Sequence, residues 1–301
     1  MKSMWKQKIA AAAVLALALT GAAAVTASAG EKGAIRIGSK DFTENEIVAE
    51  LYALALKDAG YRVDRVMDIS SSVIHTAIVN DEIDLYPEYT GTGLISILKM
   101  DPLTDAQEVY ETVKNAYAEQ FGLVWLDYAQ ANDGQGLFIS RKASDEYGIT
   151  TISQLQENAS KLRFASQGEF DEREDGLPGL EKVYGPFEWV SSRVYEKGLK
   201  YQVVESDEAD VSPAYTTEGR LSETDKFVLL EDDRHVWPPY NLAPVVRGNV
   251  LSEYPEIEEI LRKVNETLDT AAITALNAKV DVDKEEYEDV AEEYWESVCQ
   301  Q

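Results

Sequence analysis

Residues 35–67 read IRIGSKDFTENEIVAELYALALKDAGYRVDRVM, and this stretch decides the fold class. Residues 35–38 predict a short strand. Residues 43–46, TENE, have the spacing of a capping box, and apolar residues at helical intervals follow until Gly60 ends the helix. Tyr61 to Met67 then predicts a second strand. A strand–helix–strand unit of this kind favours an α/β protein with a largely parallel sheet.

The alternation of strands and helices continues along the chain. Three serines at residues 70–72 can cap a helix over residues 73–78, and residues 83–86 predict a third strand that runs into Pro87. Later strands are predicted at residues 123–126, 137–140 and 227–230, and terminal helices at residues 254–276 and 284–298. Ligands of such sheets bind beyond the carboxyl ends of the strands, so the loop after each early strand is a candidate for the site.

The first 29 residues have the layout of a secretory signal peptide. Lysines precede an apolar run over residues 9–19, and small residues end in Ala27-Ser28-Ala29. The run is shorter than the ~20 residues that a membrane-spanning helix needs, so cleavage is favoured over a membrane anchor. The only cysteine is Cys299, which leaves none near the cleavage site to carry a lipid. We therefore expect a soluble periplasmic protein without a lipid anchor.

Length and charge set the organisation of the mature chain. Roughly 270 residues remain after cleavage, more than one compact core usually holds, which indicates two lobes. Because no linker separates them, we expect an inserted lobe: residues 30–134 plus 241–301 form lobe I, and residues 135–240 form lobe II. The sequence has 55 acidic residues against 28 Lys and Arg, a formal charge of −27. That field argues against nucleic acid or an anionic membrane as a partner, and we expect a monomer.

Signatures of catalysis are sparse. The chain has two histidines, His75 and His235, and no Cys–His pair, phosphate-binding glycine loop or metal-spaced cluster. Asp232 and Asp233 lie in a turn, where paired acids usually favour the turn and face water. The sequence therefore predicts no enzyme, no metal and no cofactor. A secreted hydrolase that uses Asp or Glu pairs is the rival in the enzyme class.

Tyrosine is the residue type that stands out. Several of the 16 tyrosines lie in loops beside proline, glycine and threonine, among them Tyr89, Tyr215 and Tyr240. A trimethylammonium group has no N–H to donate, so a protein selects it by surrounding it with electron-rich ring faces. Loop tyrosines are more often hydrophobic plugs with a solvated hydroxyl, and composition alone leaves both interpretations open.

Five ordered motifs carry a resemblance to a known family. They are residues 38–44 (GSKDFTE), 83–92 (IDLYPEYTGT), 170–180 (FDEREDGLPGL), 214–220 (AYTTEGR) and 238–247 (PPYNLAPVVR). Together they extend over nearly the whole mature chain, which resembles the substrate-binding proteins of osmoprotectant ABC importers for glycine betaine, choline and carnitine. The resemblance implies two α/β lobes of the type II periplasmic binding protein fold, with the ligand in the cleft between them.

The resemblance also implies individual site residues. Candidate walls of an aromatic cage are Tyr89, Tyr215 and Tyr240. Candidate partners of a ligand carboxylate are Lys40, Thr92 and Arg173. A guanidinium and an ammonium would pair with a carboxylate while the rings take the cationic head. The alternatives are a solvated loop lysine at position 40 and, for Arg173, an ion pair with Glu169, Asp171 or Asp175.

One position departs from the family pattern. In residues 132–136, NDGQG, Gln135 stands where an aromatic residue is common, and Asp133 lies near the expected cationic head. Loss of a ring face of about 1–2 kcal/mol weakens a quaternary-amine site roughly five- to thirtyfold. Tyr128 and Trp237 are candidates to replace it. The alternative is a changed ligand, an amino-acid-like or other polar solute that hydrogen-bonds Gln135.

The sequence thus predicts a two-lobe clamp that captures a quaternary-ammonium osmolyte and delivers it to the membrane permease of an ABC importer. The predicted ligand residues are Lys40, Tyr89, Thr92, Asp133, Gln135, Arg173, Tyr215 and Tyr240.

Overall fold

The computed structural model describes residues 32–299, so the predicted signal peptide lies outside the described residues. Within this range the strands form two five-stranded sheets. In chain order the strands are β1 (Ala34–Lys40), β2 (Arg62–Ile69), β3 (Leu85–Tyr89), β4 (Leu123–Trp125), β5 (Gln135–Ser140), β6 (Arg163–Ser166), β7 (Ser191–Val194), β8 (Val211–Tyr215), β9 (Phe227–Leu229) and β10 (Leu242–Arg247).

Helices connect the strands and pack on the sheets. In chain order they are α1 (Thr43–Asp58), α2 (Ile74–Val79), α3 (Thr90–Thr92), α4 (Ala106–Phe121), α5 (Arg141–Tyr147), α6 (Ile152–Asn158), α7 (Gly168–Glu172), α8 (Leu177–Tyr184), α9 (Lys200–Glu205), α10 (Gly248–Glu253), α11 (Glu256–Asn265), α12 (Thr270–Asp281) and α13 (Tyr287–Tyr294). Short 3-10 segments span Ala159–Lys161, Lys197–Leu199 and Gly219–Ser222, and π-helical segments span Gly93–Ile97 and Trp295–Cys299.

The two sheets share one arrangement of strands. The first has the order β2-β1-β3-β10-β4, in which β1 runs parallel to β2 and β3 while β10 runs antiparallel to β3 and β4. The second has the order β7-β6-β8-β5-β9, with β6 parallel to β7 and β8 and β5 antiparallel to β8 and β9. Four strands of each sheet therefore run in the same direction and only β10 or β5 runs against them, as the expected largely parallel arrangement predicts; β5 and β10 each reach their sheet from the other half of the chain.

The chain passes twice between the sheets, after β4 and before β10. The two crossing segments meet at a β-bridge between Asn132 and Asn241, and the Asn132 Oδ1 accepts a hydrogen bond of 2.6 Å from the backbone N–H of Tyr240. In chain order, strands β5 to β9 are thus inserted between β4 and β10 of the first sheet. The lobe boundaries at residues 134/135 and 240/241 stay predictions.

Strands β3 and β5 lie inside the hydrophobic core. In β3, Leu85 belongs to the buried cluster that contains the α1 side chains, whereas Tyr86 belongs to the cluster on the α4 side. In β5, Leu137 and Phe138 divide in the same way between two further clusters. Because successive side chains of a strand point to opposite faces, both faces of each sheet are covered, and the loops at the strand ends carry the accessible polar groups.

Two predicted helix caps are wrong. Helix α1 begins after Phe42 without a side-chain cap, and the Thr43 hydroxyl donates to Asp281 Oδ1 at 2.7 Å instead. The hydroxyls of Ser70 and Ser72 bond to each other at 3.0 Å and do not cap α2. In both cases the hydroxyl group that the sequence pattern assigned to the helix terminus bonds to another side chain, Asp281 for Thr43 and a neighbouring serine for Ser70 and Ser72.

The structure differs from two further local predictions, one for a helix and one for a strand. The single helix predicted over residues 254–276 is split into α11 and α12, because Asp269 accepts a hydrogen bond of 2.8 Å from the Ala272 N–H and starts a new helix. Pro87 does not end its strand but lies inside β3, directly opposite Pro244 in β10. Neither ring donates a hydrogen bond at this pair, so the ladder tolerates both.

Candidate functional site

All eight residues predicted to bind ligand line one small cavity, together with Phe42 and Ser71. The eight are Lys40, Tyr89, Thr92, Asp133, Gln135, Arg173, Tyr215 and Tyr240. Its volume is about 10 Å³, the space of roughly one water molecule. The structure thus brings together side chains that belong to both sheets and to the segments that join them.

The positions of these side chains at strand ends explain their convergence. Lys40 and Tyr89 are the last residues of β1 and β3, which run in the same direction in the first sheet. Tyr215 is the last residue of β8 in the second sheet and pairs directly with Gln135, the first residue of β5. The carboxyl ends of strands from the two sheets therefore face the same cavity, as expected for an α/β ligand site.

Aromatic rings form part of the cavity wall. The Phe42 ring lies 4.9 Å from the Tyr215 ring and 6.0 Å from the Tyr89 ring, measured between centroids. These distances are typical of interacting aromatic pairs. Sequence reasoning missed Phe42, although it lies in the loop after β1, two residues from Lys40.

Tyr128 and Trp237, the two residues proposed to supply a substitute ring, are not among the residues that line this cavity. Tyr128 packs edge-on against Tyr110 with centroids 5.0 Å apart. Trp237 uses its indole N–H to donate to the backbone carbonyl of Asp175 at 2.7 Å. The expectation that one of them replaces the ring missing at Gln135 is therefore wrong for this arrangement, because each is held by another partner.

A glycine in the motif of residues 83–92 seats the ring of Tyr240. A Cβ atom on Gly91 would lie only 2.7 Å from the Tyr240 ring, closer than real Cβ atoms approach other atoms. Tyr240 is 2% exposed, and its hydroxyl donates to Asp175 Oδ2 at 2.8 Å. The ring is thus fixed by close backbone contact on one side and by a carboxylate at its far end.

Lys40 is not a solvated loop lysine. Its ammonium forms an ion pair with Glu88, and the two side chains are 2% and 1% exposed. The same ammonium lies 5.0 Å from the centroid of the Tyr89 ring. Asn45 fixes the backbone here by accepting a hydrogen bond of 2.7 Å from the Lys40 N–H. The positive charge of Lys40 is therefore already compensated by a neighbour in the motif that contains Tyr89.

Arg173 forms one of the ion pairs considered from the sequence, the one with Asp175. Its Nε and Nη2 donate to the two carboxylate oxygens at 2.7 and 2.6 Å, and Nη2 also donates to Ser96 Oγ at 3.1 Å. Burial by itself would lower the pKa of Arg173, but the Asp175 carboxylate outweighs it and raises the pKa. The guanidinium is thus charged and held in a bidentate pair beside the cavity.

Two buried carboxyl groups near the cavity, Glu44 and Asp133, have no cationic partner among the described residues. Glu44 accepts hydrogen bonds from Tyr89 at 2.9 Å, from Asn277 at 3.1 Å and from the Thr217 hydroxyl. Asp133 accepts one hydrogen bond of 3.3 Å, from the Thr217 N–H. Within residues 32–299 neither forms an ion pair, and burial raises the pKa of both. This part of the site has acceptors in excess of donors.

A second, larger cavity adjoins the first. Its volume is about 290 Å³, and it shares Phe42, Asp133 and Tyr215 with the small cavity. Side chains from both halves of the chain surround it, including Glu44 and Asn277. The space around the predicted ligand site is therefore divided into a narrow part lined with rings and a wider part whose lining includes several charged side chains.

Residues 32–299 contain no group of three or more His, Cys, Asp and Glu side chains arranged to hold a metal ion. In the same range, no helix has both the length and the apolar character that crossing a bilayer requires.

Comparison with known proteins gives consistent matches. The family model described as the substrate binding domain of ABC-type glycine betaine transport systems matches residues 33–297. The chain is 32% identical over 291 residues to a glycine-betaine-binding protein of Pseudomonas aeruginosa, covering 93% of each chain. It is 31% identical over 268 residues to an ergothioneine transport permease/ergothioneine binding protein of Helicobacter pylori, covering 88% of this chain and about half, 48%, of that relative.

Solved structures resemble the whole described fold. A crystal structure of a glycine betaine/carnitine/choline ABC transporter matches with a TM-score of 0.71 at 24% identity, covering 88% of this chain and 97% of that one. Apo YehZ from Escherichia coli matches with a TM-score of 0.63 at 28% identity, covering 87% and 97%. The predicted α/β, two-lobe periplasmic binding protein fold is confirmed.

Proposed function

Because the chain belongs to the family of substrate-binding domains of ABC-type glycine betaine transport systems, we propose that it binds a quaternary-ammonium solute at the ring-lined cavity. The family resemblance drawn from the loop motifs is confirmed, and this family consists of solute-binding proteins of transport. One observation supports the ligand class above all others. Four aromatic rings, those of Phe42, Tyr89, Tyr215 and Tyr240, line one cavity where the two halves of the chain meet.

The proposed ligand suits the chemistry of this wall. A trimethylammonium group offers no hydrogen-bond donor, so ring faces and excluded water supply its binding energy. Each face contributes about 0.5–2 kcal/mol, and micromolar affinity needs about 8 kcal/mol. Four rings together with the nearby Asp133 carboxyl group therefore bring the binding energy to the right order of magnitude.

Binding requires the two lobes to separate. A cavity of about 10 Å³ cannot hold a trimethylammonium group. The walls of the ring-lined cavity must therefore move apart before a ligand can enter. Contacts that cross the cleft include the ion pair of Lys197 with Asp41 at 3.0 Å and the hydrogen bond of Thr217 to Glu44. We infer a hinge at the crossing segments around Asn132 and Asn241, which opens the cleft and closes it on the ligand.

The ligands named for the relatives favour this class over a polar, amino-acid-like solute. Glycine betaine, carnitine and ergothioneine occur in the names of the related proteins, and all three molecules carry a trimethylammonium group. Gln135 is the residue that suggests a polar solute as the alternative. Its backbone pairs with Tyr215, however, and it lines a cavity that also contains four aromatic rings.

We further propose that the protein acts outside the cytoplasm as a monomer and delivers its ligand to the permease of an ABC importer. The support for this is the family membership together with the predicted signal peptide in the first 29 residues. No chemical step is assigned to the site.

Isothermal calorimetry tests the ligand class. We expect heat with at least one of choline, glycine betaine, carnitine and proline betaine at micromolar to millimolar concentration. Tyr215→Leu should weaken that binding roughly two- to thirtyfold, because it removes one ring face. Tyr128→Leu is the matched control, since Tyr128 packs away from the cavity, and it should leave affinity unchanged. Absence of heat with all four compounds would refute the proposed ligand class.

A further inference from the structure

One lysine joins elements of the two sheets. Lys197 begins the 3-10 segment that follows β7 of the second sheet, and its ammonium donates to both carboxylate oxygens of Asp41, at 3.0 and 3.2 Å. Asp41 directly follows β1 of the first sheet. The same ammonium lies 3.2 Å from Oε2 of Glu169, in helix α7, which follows β6 of the second sheet. A single cation therefore bridges two carboxylates that belong to different sheets.

In the described part of the chain, this is the better shielded of two ion pairs that join the sheets. The other is Lys99 with Glu174, at 3.4 Å, and its side chains are 57% and 58% exposed. Exposed pairs of that kind contribute about 1 kcal/mol or less. The side chains of Lys197 and Asp41 are 31% and 28% exposed, so water and salt screen their attraction less. The attraction between charges across the cleft is therefore concentrated at Lys197.

The ion pair holds a loop that the proposed ligand site uses. Asp41 lies between Lys40 and Phe42, which both line the ring-lined cavity. The Phe42 ring packs against the Tyr215 ring of the second sheet, with centroids 4.9 Å apart. Because the opposite wall holds the Asp41 carboxylate, it also holds this loop and its ring against Tyr215. Lys197 is not among the residues that line the ring-lined cavity, so it acts there through the loop.

Loss of the ammonium would replace attraction across the cleft by repulsion. Asp41 and Glu169 contact the same nitrogen, so without it two carboxylates on opposite walls would lie within the Debye length of about 8 Å at physiological ionic strength. Like charges at this separation oppose closure. The added negative charge would, in contrast, attract a cationic ligand more strongly. Removal of Lys197 thus has two opposite effects on the binding of a cation, and the sign of the measured change shows which one dominates.

We propose that Lys197 is a positioning residue that sets ligand affinity by holding the two lobes closed, through its bridge between Asp41 and Glu169. The assignment rests on the proposed function, because ligand affinity is the quantity that closure changes. Since Lys197 acts on closure and not on the rings, its loss should weaken the binding of every ligand of the site by the same factor. Opening of the lobes releases the ligand, so the dissociation rate should account for most of the change.

Lys197→Met tests the bridge. In calorimetry and stopped-flow experiments, every compound that the wild-type protein binds among choline, glycine betaine, carnitine and proline betaine should bind about five- to thirtyfold more weakly, mainly through faster dissociation. Lys197→Arg keeps the charge and should bind within about threefold of wild type. Lys142→Met is the matched control, because it removes one lysine from an exposed pair with Asp207 within the second half of the chain, and it should leave affinity unchanged.

A double-mutant cycle assigns the effect to the pair across the cleft. Asp41→Asn should also weaken binding, and its combination with Lys197→Met should weaken binding less than the product of the two single effects, because both changes remove the same contact. Unchanged or tighter binding by Lys197→Met, or single effects that simply multiply, overturns the proposal, while binding by the wild-type protein leaves the proposed function intact. Absence of wild-type binding to all four compounds overturns both proposals.

Discussion

Replacement of Asp175 by Asn should destabilise the protein strongly, because it leaves a buried guanidinium without its counter-charge. The Asp175 side chain is 0% exposed and that of Arg173 is 14% exposed. Four donors converge on this carboxylate: Arg173 Nε at 2.7 Å, Arg173 Nη2 at 2.6 Å, the Tyr240 hydroxyl at 2.8 Å and the Ser96 hydroxyl at 3.2 Å. An amide N–H₂ in place of one oxygen would oppose the donors that now bond to that oxygen.

The size of the effect follows from the burial of the pair. Removal of one partner from a buried, hydrogen-bonded ion pair costs about 3–5 kcal/mol. For a chain of this length, 1 kcal/mol corresponds to a change in Tm of roughly 2–4 °C, so Asp175→Asn should lower Tm by about 10 °C. Asp64→Asn is the matched control, because Asp64 and Arg62 form an exposed pair with N···O 3.3 Å, for which a loss of about 1 kcal/mol or less is expected.

Thermal unfolding at several pH values provides the assay. Burial by itself would raise the pKa of Asp175, but Arg173 outweighs it and holds the pKa below the ordinary value of 3.8. A carboxyl group whose pKa is lower in the folded state than in the unfolded state stabilises the protein at every pH above its unfolded-state pKa. This stabilisation is lost as the pH falls through the folded-state pKa. The Tm difference between wild type and Asp175→Asn should be constant at pH 5–7 and shrink below about pH 4. A Tm within 2 °C of wild type at pH 7 would contradict the reasoning.

Three further outcomes are expected. Gly91→Ala should displace the Tyr240 ring, which lies 2.7 Å from the position of the new Cβ, and calorimetry should record choline binding weakened at least about tenfold. Phe42→Ala should weaken the same binding by roughly two- to thirtyfold through loss of one ring face, and unchanged affinity would exclude Phe42 from the site. Burial, together with the charge of Asp68, raises the pKa of Glu46 from 4.5 to about 7. Above pH 4.5 the unfolded chain has lost the Glu46 proton, whereas the folded protein keeps it until about pH 7, so ionisation of Glu46 destabilises the fold at higher pH. Glu46→Gln should therefore raise Tm at pH 8 and leave it unchanged at pH 4, and an equal effect at both pH values would contradict this assignment.

The sequence by itself determined the element types and predicted which side chains would come together at one cavity. Period-two and helical patterns are local properties, which is why the β1–α1–β2 unit is visible in residues 35–67. The rule that ligands bind at the carboxyl ends of strands then placed Lys40 and Tyr89 together, and the structure has them in the same cavity. The ordered motifs added Arg173, Tyr215 and Tyr240, which no local pattern connects to that cavity.

Only the tertiary structure decided which groups neutralise each other. Two buried ion pairs form at the site, Lys40 with Glu88 and Arg173 with Asp175. Because their formation depends on how distant elements pack, the sequence alone could not decide whether Lys40 is solvated or which acid pairs with Arg173. The antiparallel entry of β10 and the ring of Phe42 in the cavity wall likewise depend on contacts between residues far apart in the chain. The larger cavity with Asn277 is a space between packed elements. Local sequence patterns specify conformations of neighbouring residues, whereas cavities and charge compensation arise from how distant elements pack.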